Sequence, residues 1–379
     1  MNKKEISEIK KQFKKDGNAI DRIAGCFVDH EKNIRMKDAK AFFTLSEDEV
    51  FKYYDIFKKA LSGAIGKNLH SLDYSIEQEL EGDGHKMLLA LKESGLKDEE
   101  QLDSFYRKVI ENYVYADNYY IVLIHGNYDI PGRGTDDVEM DDASEYVYEY
   151  ILCCICPVEP STPGLYYNAE ENVVEEREQE LWIGLPMNAF LFPAFNDRNT
   201  DIHSLLYYTK KPEVLHDEFL DGCIGGPVPM SYNVQKETFQ DILAGSLGEN
   251  CGYSVMTQVH EELAELAAVH AEDPEPPTID KPQMRRILED CGVEAENLEQ
   301  FDRVYDEMAG DRTSFLVNSV AQKKNVEVKT ADVKITVPPD CVSIIKTQMI
   351  DGRKCLVIPV DNNVEVNGMT VTVDFAGEM

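Results

Sequence analysis

The chain is 379 residues long, 43% apolar and 29% charged, enough for two or three domains with substantial cores. A formal net charge of −33 repels phosphate backbones and anionic lipid head groups, which argues against a general nucleic-acid or membrane-surface binder. That charge is uneven: residues 1–67 hold 15 Lys/Arg against 11 Asp/Glu, leaving 23 against 60 on the other 312. The N-terminal part is therefore the one place for an acidic partner, or else a solvated basic helix face.

Residues 3–15 predict an amphipathic helix, because Ile6, Ile9 and Phe13 recur at helical spacing while the lysines lie elsewhere. A start of Met1-Asn-Lys-Lys-Glu lacks the apolar run of a secretory signal, and the apolar runs further on are far shorter than the roughly 20 residues of a membrane helix. A cytoplasmic protein with reduced thiols is expected. Residues 23–28 and 35–43 read as short strands, and Ser46-Glu-Asp-Glu49 as a capping box opening a helix with Val50, Tyr54, Phe57 and Leu61 inward. Residues 64–112 read as mostly helical. Within them Gly63-Ala-Ile-Gly-Lys-Asn68 lacks the glycine spacing and the Ser or Thr of a phosphate loop, and no cofactor is expected.

The middle of the chain is strand-rich, over 118–128, 145–158, 165–174, 180–195 and 203–209, with the first two joined as a long antiparallel hairpin through an acidic, glycine-bearing tip. Period-two reading of 145–158 puts Cys154 and Cys156 on one face and Cys153 on the other, so the three thiols cannot converge on one ion. No second Cys/His pair completes a zinc set, and buried free thiols are expected, with no metal site. Helices follow near 212–220, 236–244 and 256–270. Four prolines in 272–282 predict an extended connector, followed by helices near 282–291 and 296–308 and strands over 326–337, 342–350, 354–360 and 364–373.

Successive strands without intervening helices predict an α+β protein. Its expected parts are a helical, locally basic N-terminal region (1–112), a central mainly antiparallel sheet with flanking helices (113–271), a Pro-rich linker (272–282), and a helical pair with a small β-rich C-terminal module (283–379).

Cys26-Phe-Val-Asp29, Phe51-Lys-Tyr-Tyr-Asp-Ile-Phe57, Leu61-Ser-Gly-Ala-Ile-Gly66, Phe192-Pro-Ala-Phe-Asn-Asp-Arg198 and Asp351-Gly-Arg-Lys-Cys-Leu-Val-Ile358 carry a resemblance over nearly the whole chain. The chain resembles an uncharacterised domain-of-unknown-function family of Gram-positive anaerobic bacteria, which implies no reaction, ligand or catalytic residue. Its terminal module is also faintly similar to bacterial nucleoid-associated proteins.

Chemistry is best sought in two polar loops that leave apolar strands: His125-Gly-Asn-Tyr-Asp129 with Arg133, and Asn196-Asp-Arg-Asn-Thr-Asp-Ile-His203. Gly126-Asn-Tyr-Asp129 is similar to the Gly-Asn-His-Asp of metallophosphoesterases and Asp201-Ile-His203 to their Asp-x-His, but the order is reversed and Tyr128 stands where a ligand His would. His125, Asp129, Asp197, Asp201 and His203 are the candidate site. His260 and His270 are ten residues apart on one helix and cannot share an ion. Cys223, in Asp221-Gly-Cys-Ile-Gly-Gly-Pro227, reads as a stray thiol in a glycine-rich connector before it reads as a nucleophile with His203 or His216 as base. The leading expectation is a non-catalytic interaction or regulatory protein with a protein partner or a second copy. The alternatives are a metal-dependent hydrolase using loops 125–133 and 196–203, and a nucleoid-associated protein using the basic N-terminus.

Overall fold

The structure, a computed structural model, describes residues 1–14, 19–133, 139–162, 164–177, 180–248, 252–310, 313–321, 326–329, 333–338, 344–359, 364–366 and 369–371. The fold is α+β, and the chain divides into two compact units, Met1–Val234 and Gln235–Met379.

The first unit contains β1 (Ile20–Val28), β2 (Ile34–Ala41), β3 (Leu69–Asp73), β4 (Tyr119–Arg133) and β5 (Glu139–Pro160). These are followed by β6 (Gly164–Asn168), β7 (Val173–Arg177), β8 (Leu181–Ile183), β9 (Asn188–Phe192), β10 (Ala194–Asn196), β11 (Asn199–Asp201) and β12 (Ser204–Thr209). Its helices are α1 (Lys3–Lys10), α2 (Glu47–Ala60), α3 (Ile76–Glu81), α4 (Asp83–Glu93) and α5 (Glu99–Asn112), with one π-helical turn at Phe219–Ile224. One sheet runs in the order β2-β1-β4-β5-β9-β12-β3, antiparallel at every step.

The long β4–β5 pair lies at its centre, and both of its faces are covered. Leu123, Cys153, Ile155, Phe190 and Tyr207 pack in one core with Leu88 and Leu91 of α4, Phe105 and Val109 of α5, and Phe219. Val122, Ile124, Leu152, Cys154, Leu191 and Tyr208 pack in a second core with Ile6 and Ile9 of α1 and Tyr54 and Phe57 of α2. Strands buried on both faces need apolar residues at every position, which is why Ile121–Ile124 and Ile151–Ile155 are uninterrupted runs. A Cβ at Gly84 would overlap the carbonyl of Ile224, so glycine lets α4 sit directly on the π turn.

Several sequence expectations change here. Residues 1–112 do not stand apart from the sheet: β1 pairs with β4, and β3 pairs with β12. β3 falls inside the stretch read as helical, since five residues carry too little periodicity to outweigh helix-forming neighbours. The single strand expected over 165–174 is a hairpin, because the polar Asn168–Asn172 segment turns, with Asn172 at φ 56°. The strand expected over 180–195 breaks into β8, β9 and β10 around Pro186 and Pro193, which lack ladder donors. The helix expected near 212–220 gives way to the later π turn. The acidic tip at 134–138 lies outside the described residues, as do Cys251, Cys341, the turn at Asn367-Gly368, and residues 342–343, 360 and 372–373.

β5 through β8 form one ribbon. Val158 pairs with Ile183, Pro160 with Leu181, Gly164 with Arg177 and Asn168 with Val173, so a single register runs past the interruption between β5 and β6. Across that gap the Ser161 amide donates to the Glu180 carbonyl.

In the second unit, α6 (Tyr232–Leu247, beginning at the unit boundary), α7 (Tyr253–Val269), α8 (Lys281–Asp290) and α9 (Ala295–Met308) surround Phe239, Phe301, Tyr305 and Phe315. The proline segment expected to link two bodies lies within this unit: β13 (Thr278–Ile279) pairs with β14 (Phe315–Leu316), and Asp280 caps α8 in a box with Gln283. Prolines exclude helix there but leave Ile279 free to bury. Three two-stranded hairpins follow: β15 (Val326–Lys329) with β16 (Lys334–Val337), β17 (Lys346–Ile350) with β18 (Arg353–Val357), and β19 (Val364–Val366) with β20 (Met369–Val371).

Burial holds the Cys153, Cys154 and Cys156 thiols well above their usual range and pushes Cys26 and Cys223 up to about 12. With Cys251 and Cys341 replaced by serine, thiol labelling of the native protein should modify Cys291 and Cys355 and spare these five; rapid reaction of the five would contradict the buried strand. In urea denaturation, Leu123→Ala should cost roughly 2–5 kcal/mol, and Leu165→Ala on the ribbon less than about 0.5 kcal/mol.

Candidate functional site

Residues 125–133, expected as a loop, continue β4 as strand paired with β5, because the pairing carries polar residues on past the apolar run; they and the turn over 196–203 lie at the same end of the sheet. His125 lies opposite Ile151, which lies opposite Phe192, the last residue of β9, and β12 starts beside that end. A cis Phe192–Pro193 bond leads into the two-residue hairpin β10–β11, whose central residues Asp197 and Arg198 have φ 50° and 54°. A hairpin turn with both central residues left-handed suits Asn-Gly, and an arginine there must be held from outside.

Helix α1 does the holding. Glu5 and Glu8, three residues apart on one helical face, reach the turn together: the Asp197 amide donates to Glu5 Oε1 at 2.7 Å, and Arg198 donates through Nε and Nη2 to Glu8 Oε1 at 3.2 and 3.1 Å. Tyr128 of β4 donates its hydroxyl to the same Glu8 oxygen at 2.8 Å, and Arg198 Nη2 also reaches the Pro131 carbonyl at 3.4 Å. Glu5 is itself buried and closes the Asn2 capping box. The loops do meet, through Arg198, Glu8 and Tyr128. Arg198 and Tyr128 lie in the polar segments singled out from the sequence; Glu5 and Glu8 were missed there, although Asn2-x-x-Glu5 has capping-box spacing.

The five expected residues do not join that cluster as a set. His125 is buried on the α4–α5 face, with Nδ1 2.8 Å from Asp21 Oδ1, and Asn127 donates to the other Asp21 oxygen at 3.5 Å. Burial works to raise the Asp21 carboxyl, but the His125 hydrogen bond and charge, together with the Asp21 and Arg22 amides, hold it below its usual value. Asp129 is exposed and by strand alternation shares the His125 face. Asp197 and Arg198 are on the opposite face, against α1. Asp201 accepts from Asn196 Nδ2 at 2.6 Å, Ser204 Oγ at 2.8 Å and the His203 amide at 3.0 Å, a capped turn whose hydrogen bonds keep its carboxyl low against the opposing effect of burial. His203 is 66% exposed and pairs through Nδ1 with Glu79 of α3 at 2.8 Å. It precedes β12, three strands from β4, so about 14 Å separates it laterally from His125. The Arg133 side chain lies outside the described residues.

No group of three or more His, Cys, Asp or Glu side chains with metal-holding geometry occurs among the described residues. Cys223, buried in the π turn with its thiol pushed up to about 12, stays protonated at neutral pH and is a poor nucleophile. Burial lowers His216, whose ring stacks on Tyr113 at 4.5 Å, and burial likewise lowers His260, while His270 pairs with Asp273.

The β5–β8 ribbon was not legible as a site. On one of its faces Leu165 (77% exposed), Tyr167 (60%), Val174 (65%) and Trp182 (56%) stand among Glu159, Glu176 and Glu180; Trp182 is the only tryptophan in the chain. On the other, Tyr166 and Asn168 both donate to Glu175, beside partly exposed Val173, Leu181 and Ile183. Leucine, tyrosine and valine at those positions read as a sheet strand, and only the missing neighbours reveal a projecting arm.

An α+β unit with a helix-covered antiparallel sheet, a helix-clamped turn at one sheet end and a projecting apolar ribbon defines the class of this protein. The chain belongs to the family described as Domain of unknown function (DUF4317), whose profile matches residues 1–369. No curated protein and no solved structure matches it. No helix is long and apolar enough to cross a membrane among the described residues.

Two measurements test the site. Glu5→Ala removes the acceptor of two backbone amides and should lower stability in urea by about 1–3 kcal/mol; an unchanged midpoint would mean that α1 does not hold the turn. His203 should titrate above the usual histidine value in an NMR pH series and return toward it in Glu79→Gln, because the Glu79 hydrogen bond raises its pKa. A raised folded value means the contact stabilises fully below the unfolded pKa of 6.5 and is lost as pH rises through the folded pKa.

Proposed function

We propose that the protein is a non-catalytic interaction protein that engages a partner through the β5–β8 ribbon. The observation that carries this reading is the ribbon's exposure: aromatic and branched side chains occupy both faces of a two-stranded arm. An isolated two-stranded hairpin is marginal in water, and exposed contiguous apolar surface marks an interaction site more often than it persists without one. The polar loops favour this reading over hydrolysis. A hydrolytic site needs acid, base or ligand groups close enough to reach one substrate, whereas His125 with Asp21, Asp201 with Ser204 and His203 with Glu79 each form separate local pairs.

The test is a photo-crosslinking residue at Trp182 or Leu165 in living cells, compared with one at Val114, which is equally exposed but off the ribbon. A discrete adduct from the ribbon positions, absent at Val114 and unchanged by Asp197→Ala with His203→Ala, is expected. Equal labelling at all three positions, or adducts only at Val114, would remove the ribbon as the binding element.

A further inference from the structure

We infer that the ribbon's partner is an extended segment of another protein in which cationic and apolar side chains alternate, and that it adds to the ribbon as a strand. The inference rests on the interaction reading above and names the chemistry of what binds.

Three observations point the same way. The first is charge: residues 158–183 carry seven carboxylates (Glu159, 170, 171, 175, 176, 178 and 180) against the single cation Arg177. On the more exposed face the glutamates sit between the apolar residues: Glu159 lies opposite Trp182, Leu165 opposite Glu176 and Tyr167 opposite Val174. A strand added at the β7–β8 edge lays every second side chain along this face, beside Glu176 and Glu180, where cationic groups are complementary, and the intervening ones on the other face, beside Val173, Leu181 and Ile183, where apolar groups are; cationic and apolar side chains therefore alternate along its chain.

The second is backbone. Among the described residues, β6 and β7 pair only with each other, and β8 only with β5. The outer edges of the ribbon therefore present rows of amide and carbonyl groups, the template that a third strand completes. Natural edges are usually blunted with lysine or proline. The β5–β6 edge has such a proline in Pro160, whereas the described residues of the β7–β8 edge carry valine, leucine and tryptophan with no proline or lysine.

The third excludes the obvious alternative. A second copy would bring a ribbon with the same surplus of carboxylates on a body of charge −33, and like charges directly opposite one another in paired strands destabilise the pairing. The basic strand β2 does not offer a free complement, since Arg35, Lys37 and Lys40 are already paired with Asp29, Asp103 and Asp38.

Trp182 makes the test direct, because all tryptophan emission comes from the ribbon. The full chain is titrated with three ten-residue peptides alternating valine with lysine, with serine or with glutamate, and its mass is followed by sedimentation over the same concentrations. The valine–lysine peptide should shift Trp182 emission to the blue, bind at least about tenfold more tightly than the serine peptide, and weaken with salt. Leu165→Ser with Val174→Ser, both at exposed positions, should weaken it about tenfold while the melting temperature holds. Equal binding of the serine or glutamate peptide overturns the cationic partner and leaves the interaction reading standing. So does a blue shift that tracks self-association, which would make the occupant a second copy. Valine–lysine binding that is indifferent to the double substitution is attraction to the acidic body and overturns the inference. No peptide response, no self-association and no ribbon crosslink together overturn both.

Discussion

The first unit is organised by a single requirement: over Ile121–Ile124 and Ile151–Ile155 the β4–β5 pair is apolar on both faces, so neither face can meet water there. Ile121–Ile124 and Ile151–Ile155 are fully buried, and the period of two sends alternate side chains into two separate cores. One core is closed by α4, α5 and the π turn, the other by α1 and α2. Much of the remaining architecture answers this need, including Gly84 where α4 meets the π turn and the capping boxes that fix the starts of α1 and α2.

The same requirement governs the thiols and histidines. Desolvation disfavours charge, which keeps the buried cysteines protonated and His70 and His216 neutral, so groups that look reactive in the sequence serve as packing. The sheet end is different because the strands outrun their helical cover. There Glu5 and Glu8 reach from α1 to hold a turn with two left-handed residues, spending carboxylates on geometry. The loops converge through a structural clamp, with the expected His and Asp side chains directed elsewhere.

The ribbon escapes the rule, as does the edge strand β2, but β2 is exposed with a largely charged sequence. β5 passes out of the sheet near Pro157 with its pairing intact, exchanging β4 and β9 for β8 and then the β6–β7 turn. Among the described residues no helix covers it, and yet its composition stays apolar between glutamates. Its exposed aromatic and branched side chains make the ribbon the natural place for a partner's surface to complete the protein's own.

Much of this was readable in the chain. The α+β class, the long hairpin joining 118–128 to 145–158, the opposed faces of Cys153 and Cys154, and the Ser46 capping box all follow from periodicity and turn chemistry, which are properties of neighbouring residues. What the tertiary structure decided is which distant segments meet. β3 is a strand because β12 lies beside it, His125 is fixed by Asp21 across 104 residues, and Arg198 finds Glu8 across 190. An apolar alternation announces a strand but not whether a sheet will lie against it. The same pattern buries Leu152 and exposes Leu165, because the first has strands on both sides and helical cover over its face while the second has only its hairpin partner.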